Sequence, residues 1–190
     1  MAIIDKIKAK AKSDVKHIVL PEGEEVRNVQ AASMIVKEGL AKLTLLGNPD
    51  KVKEVAAGAN LDGIEIINPA TSDKCEGYAA ALYELRKAKG MTEEQAATLY
   101  DLRKAKGMTE EEAAKKVADP MYYGIMMVKL GDADGLVSGA IHSTGDMLRP
   151  ALQIIKSKPG MKTVSSCFLM ECPNKNYGDN GVMIFADCAA

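Results

Sequence analysis

Short apolar runs alternate with longer segments of helical periodicity along most of the chain. Such alternation predicts βαβ units, and therefore a mostly parallel sheet flanked by helices. The predicted strands are Ile18–Leu20, Leu43–Leu46, Ile64–Ile67 and a short strand at Val137. Five helices are predicted. The first is Glu25–Lys37, which ends at Gly39; the second is Asp50–Ala57, which Asn48 caps; and the third is Cys75–Lys89. A fourth begins at Asp119 or Pro120 and ends near Leu130, and a fifth follows Thr144. The fold class is therefore α/β.

The end of the chain follows a different pattern. Thr163–Met170 and Val182–Ala186 are apolar runs joined by a polar loop rich in asparagine and glycine. Two neighbouring strands without an intervening helix predict a hairpin or mixed-sheet element. We therefore divide the chain into a first α/β domain, residues 1–160, and the truncated beginning of a second domain, residues 161–190. Cys167 and Cys188 lie in apolar runs and are expected to be core residues.

A tandem repeat lies within the first domain, at residues 82–115. Residues 82–98 read LYELRKAKGMTEEQAAT and residues 99–115 read LYDLRKAKGMTEEEAAK, so three of the 17 positions differ and 14 are identical. Each copy carries its own helix signals: a glycine that can end a helix, Gly90 or Gly107, and a Thr-x-x-Gln/Glu capping box that can begin one. The repeat therefore predicts an additional helix from about Thr92 to Ala105.

Composition and charge argue against several function classes. The net charge is −1, so nothing favours a nucleic-acid or anionic membrane surface. No apolar run approaches the roughly 18 residues of a membrane span. The chain has four cysteines, none in a Cys-x-x-Cys pair, and two histidines, so no zinc site is expected. The pattern is typical of reduced thiols in a cytoplasmic protein without a secretory signal.

The segment from Gly131 to Gly160 carries the strongest functional pattern. A glycine-flanked strand end precedes two hydroxyl side chains and one arginine near the start of a predicted helix. These residues are Ser143, Thr144 and Arg149, with apolar helical spacing from Met147 to Lys156 and Pro150 in the first turn. Free N–H groups at a helix start, hydroxyls and a guanidinium suit a phosphoryl group. The alternative is a helix capped by serine or threonine with a solvated arginine.

His142, directly before these hydroxyls, is a candidate acid–base group, because imidazole titrates near neutral pH. No partner for it is visible in the sequence, and a structural role is the interpretation we favour. Residues 131–135, GDADG, lack the length and the terminal glutamate of a calcium loop. Neither a Walker loop nor a Gly-x-Gly-x-x-Gly motif is present, so nucleotide binding of those kinds is not indicated.

Several motifs resemble those of the phosphate acetyltransferase (phosphotransacetylase) family. They are HIVLPEG at 17–23, LTLLG at 43–47, DPMYYG at 119–124, the 131–160 segment, KTVSS at 162–166, YGDNG at 177–181 and FADCA at 185–189. The resemblance covers essentially the whole chain, and family members resemble a single copy of the repeat. It implies a three-layer α/β/α fold of the isocitrate and isopropylmalate dehydrogenase type.

The resemblance also implies an activity, the reversible transfer of acetyl between acetyl phosphate and coenzyme A. Coenzyme A is then a substrate, and no metal or organic cofactor is implied. Phosphate binding falls to Ser143, Thr144 and Arg149, helped by an arginine of the repeat. That arginine is Arg86 or Arg103, and Arg86 is preferred because the helix before it can stay in place.

The family's catalytic aspartate and its serine–arginine pair match no position of this chain. No catalytic residue is therefore assigned, and the chain is expected to be the N-terminal part of the enzyme. The expected partners are coenzyme A or acetyl-CoA, acetyl phosphate, inorganic phosphate and a second copy of the chain in a homodimer. Two alternatives stay open: a phosphate butyryltransferase, and a catalytically silent fragment or engineered duplication variant that keeps a phosphate-binding pocket.

Overall fold

The computed structural model describes residues 3–87, 119–161 and 164–186. In chain order its elements are α1 (Ile3–Ser13), β1 (Lys16–Leu20), α2 (Val26–Glu38), β2 (Ala41–Leu46), α3 (Pro49–Ala56), β3 (Ile64–Ile67), a 3-10 turn (Pro69–Thr71), α4 (Lys74–Lys87), α5 (Pro120–Leu130), β4 (Gly135–Leu136), α6 (Thr144–Ile154), β5 (Cys167–Glu171) and β6 (Val182–Ala186). Contacts divide the chain into two compact units, Lys16–Ile155 and Met1–Val15 with Lys156–Ala190.

The first four strands form one parallel sheet in the order β3-β2-β1-β4, which confirms the predicted α/β class. From β1 the chain builds outward to β2 and β3, and β4 then pairs with the opposite edge of β1. This reversal creates a topological switch point between the carboxyl ends of β1 and β4. β4 ends one residue before the predicted Val137, although the Val137 N–H still donates to the Val19 carbonyl at 3.0 Å.

Alternating side chains of the central strands pack into two hydrophobic cores, one on each face of the sheet. Leu43 and Leu45 pack with α2 and α3 on one face. Val19 and Leu46 pack with α4, α5 and α6 on the other, where Tyr123 is fully buried. The period of two along a strand buried on both faces explains this division, and the result is a three-layer arrangement.

The helix ends follow from local side-chain chemistry. The carboxylate of Glu25 accepts two main-chain N–H groups at the start of α2, and Gly39 ends that helix in the left-handed conformation with φ of 67°. Asn48 caps α3, and Asp119 followed by Pro120 begins α5. The predicted end at Gly39, the cap at Asn48 and the start at Asp119-Pro120 are all confirmed.

Gly124 allows α5 to lie directly on the sheet. A Cβ atom at this position would come within 2.7 Å of Leu136 Cδ1 and within 3.2 Å of side chains of Leu46 and Val19. Close packing of α5 fixes the position of Asp119 at its start, and therefore one wall of the site described below.

The position of Pro150 in α6 differs from the prediction. Ser143 caps this helix and Thr144 is its first residue, so α6 begins within one residue of the predicted start after Thr144 and three residues before the apolar spacing that starts at Met147. Pro150 therefore lies in the helix interior, where it has no N–H to donate to the carbonyl four residues earlier, rather than in the first turn. The serine cap decides the start, because its side-chain oxygen satisfies the N–H of Asp146.

The second unit contains α1 and an antiparallel hairpin. β5 and β6 pair from Cys167 opposite Ala186 to Glu171 opposite Val182, which confirms the predicted hairpin. Glu171 accepts the main-chain N–H of Ile3 at 2.9 Å, and this hydrogen bond lowers the pKa of the Glu171 carboxyl. No residue of α1 is buried.

The hairpin corrects one sequence-based expectation. Cys167 is exposed rather than part of the core, because the strand side chains of β5 are all exposed among the described residues. The predicted core position of Cys188 lies outside the described residues. The contacts also group Met1–Val15 with the end of the chain, whereas we assigned those residues to the first domain. The domain boundary after residue 160 stays a prediction.

No helix in the described part of the chain is both long and apolar enough to span a membrane.

Candidate functional site

Two loops meet at the switch point, residues 21–25 after β1 and residues 137–143 after β4. Gly23 brings the first loop against β2, since its N–H donates to the Leu46 carbonyl at 3.0 Å. A Cβ at position 23 would lie 2.6 Å from that carbonyl oxygen, so only glycine fits without a shift. Ligands of open α/β sheets bind at the carboxyl ends of strands beside a switch point, so this is where a site is expected.

Glu22 connects the two loops. Its carboxylate accepts the main-chain N–H groups of four successive residues, at distances from 2.8 to 3.0 Å. The four donors are Gly139, Ala140, Ile141 and His142. Successive N–H groups that converge on one point form an anion-binding nest. In this protein the nest is filled by the chain's own carboxylate, which is fully buried.

The hydrogen bonds determine the charge of Glu22. Burial raises the pKa of its carboxyl, but the main-chain donors and the side chain of His142 lower that pKa by more, so it ends well below the ordinary value of 4.5. Glu22 is therefore ionised at neutral pH. Arg27 adds a second connection, because its Nη2 donates to the Ala140 carbonyl at 2.9 Å. The loop after β4 is thus held from both its N–H and its carbonyl groups.

His142 is oriented by the same carboxylate. Its Nδ1 lies 2.8 Å from Glu22 Oε1, and an ionised carboxylate can only accept, so Nδ1 carries the proton. The side chain keeps 29% of its surface exposed, and Nε2 has no hydrogen-bond partner among the described residues. The imidazole lines two pockets, of about 430 Å³ and about 190 Å³.

The smaller pocket contains one of the predicted phosphate-binding residues. Arg149 lines it together with His142, Tyr122, Asp119 and Asp146. A hydrogen bond from Ser143 lowers the pKa of the Asp146 carboxyl, and the charge of Arg149 contributes in the same direction. The pocket is therefore the place where a small anion could meet the arginine and the imidazole together.

Ser143 adopts the capping role that the sequence left open as the alternative. Its Oγ donates to the Asp146 carboxylate at 2.6 Å and accepts the Asp146 N–H at 3.3 Å. Thr144 is the exposed first residue of α6, and Asp146 in the first turn of the same helix lines the smaller pocket. Phosphate binding by Ser143, Thr144 and Arg149 stays a prediction.

Comparison with known proteins decides the family. The family described as "Phosphate acetyl/butaryl transferase" matches residues 2–101 and 93–190. The chain belongs to this phosphate acetyl/butyryl transferase family. The two matched stretches overlap within the repeated segment of residues 82–115.

Individual members of the family are close in sequence. The phosphate acetyltransferase of Thermoanaerobacterium thermosaccharolyticum is 52% identical over 189 residues, which cover 100% of this chain and 52% of that protein. The phosphate acetyltransferase of Clostridium acetobutylicum is 49% identical over 191 residues, with 100% of this chain and 52% of that protein covered. The chain thus spans about half the length of the curated relatives it matches.

Solved structures of family members share the fold. A phosphotransacetylase from Streptococcus pyogenes superposes with a TM-score of 0.77 at 35% identity, over 100% of this chain and 52% of that chain. The EutD phosphotransacetylase from Staphylococcus aureus gives a TM-score of 0.75 at 36% identity, over 98% of this chain and 50% of that chain.

The two repeat arginines that the family resemblance implies lie outside the side chains that the structure describes. Arg86 lies in the last turn of α4, beyond the residues whose side chains are described, and Arg103 lies outside the described residues. The preference for Arg86 stays a prediction. Within the described part of the chain, no three histidine, cysteine, aspartate or glutamate side chains are grouped to hold a metal ion.

No sequence pattern pointed to Glu22. The residue lies 120 positions from His142 in the chain, so no local pattern joins them. The available signal was an acidic residue followed by glycine directly after a buried strand. Ser138 was also missed: its Oγ is buried and has no hydrogen-bond partner among the described residues.

A second polar cluster lies at the amino ends of the same strands. Nδ1 of His17 contacts the Asp132 carbonyl at 2.9 Å, and Nε2 contacts Thr44 Oγ1 at 2.7 Å. Thr44 Oγ1 donates to Glu65 at 2.8 Å, and Tyr78 donates to the Asp132 carboxylate. His17, Glu65, Tyr78 and Asp132 line a cleft of about 660 Å³, for which the family resemblance predicted no role.

Proposed function

We propose that this chain provides the phosphoryl-binding part of an acyltransferase that moves acetyl between acetyl phosphate and coenzyme A. The observation that carries the proposal is the pocket at the switch point, where Arg149 and the start of α6 lie beside an ordered loop. Family membership supports the reaction class, and the names of the relatives support acetyl as the acyl group.

The reaction requires stabilisation of negative charge. The thiolate of coenzyme A attacks the acetyl carbonyl, a carbon–sulfur bond forms, the bond from the acetyl carbon to the phosphate oxygen breaks, and phosphate leaves with the electron pair. The thiol proton passes to a base. Arg149 and the N–H groups at the start of α6 supply fixed positive charge for the leaving phosphate. Residues 137–143 are already held in place by Glu22, so this loop does not have to rearrange during the reaction.

The first test is thioester formation by the purified 190-residue chain from acetyl phosphate and coenzyme A. Phosphate binding without turnover is the expected result, because the family's catalytic aspartate and serine–arginine pair match no position of this chain. Turnover would show that these residues are dispensable or replaced. Comparison of acetyl phosphate with butyryl phosphate distinguishes the two acyl groups that the family description allows.

The second test concerns the anion site. Replacement Arg149→Ala is expected to raise the Kd for inorganic phosphate about tenfold or more, since a charge-assisted hydrogen bond is lost. Lys53→Ala is the matched control, because Lys53 is an exposed cation on α3 outside the pocket. Isothermal titration calorimetry measures both. Equal Kd values for Arg149→Ala and the wild type would remove Arg149 from the site.

We extend the proposal to the cellular setting expected from the sequence, a cytoplasmic homodimer with coenzyme A as substrate and no cofactor. Light scattering of the purified chain tests the dimer, and activity after treatment with a chelator tests the absence of a metal.

A further inference from the structure

The two ring nitrogens of His142 have different surroundings. Nδ1 donates to the buried Glu22 carboxylate at 2.8 Å, whereas Nε2 has no hydrogen-bond partner among the described residues. Glu22 cannot turn away, because four successive main-chain N–H groups hold its two oxygens. A histidine held by a carboxylate at one nitrogen presents the other in a fixed direction. The arrangement therefore leaves one oriented nitrogen available to a ligand.

The smaller pocket beside His142 has the size of an ion site. Its volume is about 190 Å³, below the roughly 300–1,000 Å³ that hold drug-sized ligands. Both of its carboxylates already accept hydrogen bonds: Asp119 from the main chain of Met121 and Tyr122, and Asp146 from Ser143. Arg149 is the fully charged cation lining this pocket, and the positive end of the α6 dipole lies beside it.

We propose that His142 binds a phosphoryl oxygen through Nε2, beside Arg149, and that Glu22 is the positioning residue that holds the ring for this contact. The inference rests on the proposed function, because the ligand is the phosphoryl group of an acyl phosphate or inorganic phosphate itself. It assigns to Glu22 and His142 roles that the sequence alone did not give them.

The contact has a consequence for protons. Nδ1 already carries a proton, so the hydrogen bond between Nε2 and a phosphoryl oxygen is made either by the O–H of hydrogen phosphate or by a proton taken from solvent. The charged groups that surround the imidazole are Glu22, Glu24 and Glu25 after β1, Asp119 before α5, and Asp146 and Arg149 on α6. Phosphate binding is therefore expected to change the hydrogen bonding of Nε2.

Nitrogen-15 NMR of the imidazole rings measures that change directly. The chain has two histidines, so the spectrum contains two rings. On titration with inorganic phosphate, the nitrogen-15 resonance of His142 Nε2 is expected to shift, because this nitrogen gains a hydrogen bond. His17 is the internal control, because both of its nitrogens already contact protein groups.

Two substitutions of His142 distinguish the proposed contact of Nε2 with phosphate from the hydrogen bond between Nδ1 and Glu22. In His142→Asn the amide nitrogen occupies the place of Nδ1, so the bond to Glu22 is kept and the ligand contact is lost. In His142→Gln the amide nitrogen occupies the place of Nε2, so the ligand contact is kept and the bond to Glu22 is lost. We expect the phosphate Kd to rise about tenfold in His142→Asn with little change in stability. We expect His142→Gln to bind phosphate more tightly than His142→Asn, although it folds less stably.

Three outcomes are distinguishable. A shift of Nε2 together with weaker binding by His142→Asn supports the inference. Phosphate binding that Arg149→Ala weakens and His142→Asn leaves unchanged would overturn the inference and leave the proposed function standing. A wild-type protein that binds no phosphate would overturn both.

Discussion

The two histidines of this chain lie at opposite ends of one parallel sheet, and they differ in how many ring nitrogens the protein uses. His17, at the amino end of β1, has both nitrogens within 2.9 Å of protein oxygens. His142, beyond the carboxyl end of β4, has one nitrogen bound to Glu22. A side chain whose polar atoms are all satisfied by the fold has nothing left for a ligand. The comparison therefore separates a histidine whose two ring nitrogens are used by the fold from one that keeps a nitrogen without a partner among the described residues.

The surroundings of the two histidines differ in the same way. At the amino end, Asp132 accepts hydrogen bonds from Tyr78 and from Lys74, and these bonds lower the pKa of its carboxyl. The same pairing raises the pKa of Lys74. At this end of the sheet, the cation Lys74 is thus paired with the anion Asp132 of the same protein. At the carboxyl end, Arg149 lines an open pocket. The fully buried carboxylate at this end is that of Glu22, which belongs to the protein itself and not to a ligand.

Replacement Glu22→Gln should produce the largest effect on stability. A glutamine amide has one oxygen acceptor and presents an NH₂ donor to N–H groups, so at least two main-chain donors lose their partner in a buried place. We expect a loss of about 2–4 kcal/mol in the free energy of unfolding, measured by denaturant titration.

Glu54→Gln is the matched control, because Glu54 is exposed on α3. Its effect should stay within about 0.5 kcal/mol. If Glu22→Gln cost no more than this control, the four main-chain hydrogen bonds would not hold the loop. The contrast between the two ends of the sheet would then lose its physical basis.

The pH dependence of stability tests the charge of Glu22. Its pKa in the folded state lies below the ordinary value of 4.5, so the unfolded chain takes up a proton first as the pH falls. Stability from this group is complete above about pH 4.5 and is lost progressively below it, by at most about 1.4 kcal/mol per pH unit. The slope below pH 4.5 should be smaller in Glu22→Gln than in the wild type. Equal slopes would mean that Glu22 titrates normally.

The elements of the sheet could be predicted because each depends on a short stretch of sequence. The strand Ile64–Ile67 and the cap at Asn48 follow from local periodicity and side-chain type. Pro150 was wrongly placed in the first turn of α6, because the apolar spacing that starts at Met147 outweighed the cap signal of Ser143. The pairing of Glu22 with His142 could not be predicted, because a distance of 120 residues in the chain closes only when β4 joins β1.

Local sequence also does not determine which side chains of an element are exposed. The apolar run containing Cys167 predicts a strand correctly, but a strand pattern does not say which partner covers it. Burial depends on the elements that pack against a strand, and those are not encoded in the strand itself.

Replacement Thr44→Val addresses the amino end and should have the smallest effect. The hydroxyl of this fully buried residue joins His17 Nε2 to Glu65, so valine keeps the shape and leaves two polar groups without a partner. We expect a loss of about 1–2 kcal/mol in the free energy of unfolding and an unchanged phosphate Kd. Thr71→Val, at an exposed position, controls for the change of side chain. Weaker phosphate binding in Thr44→Val, as large as that in His142→Asn, would show that the two ends of the sheet act on one site and would remove the distinction between the two histidines.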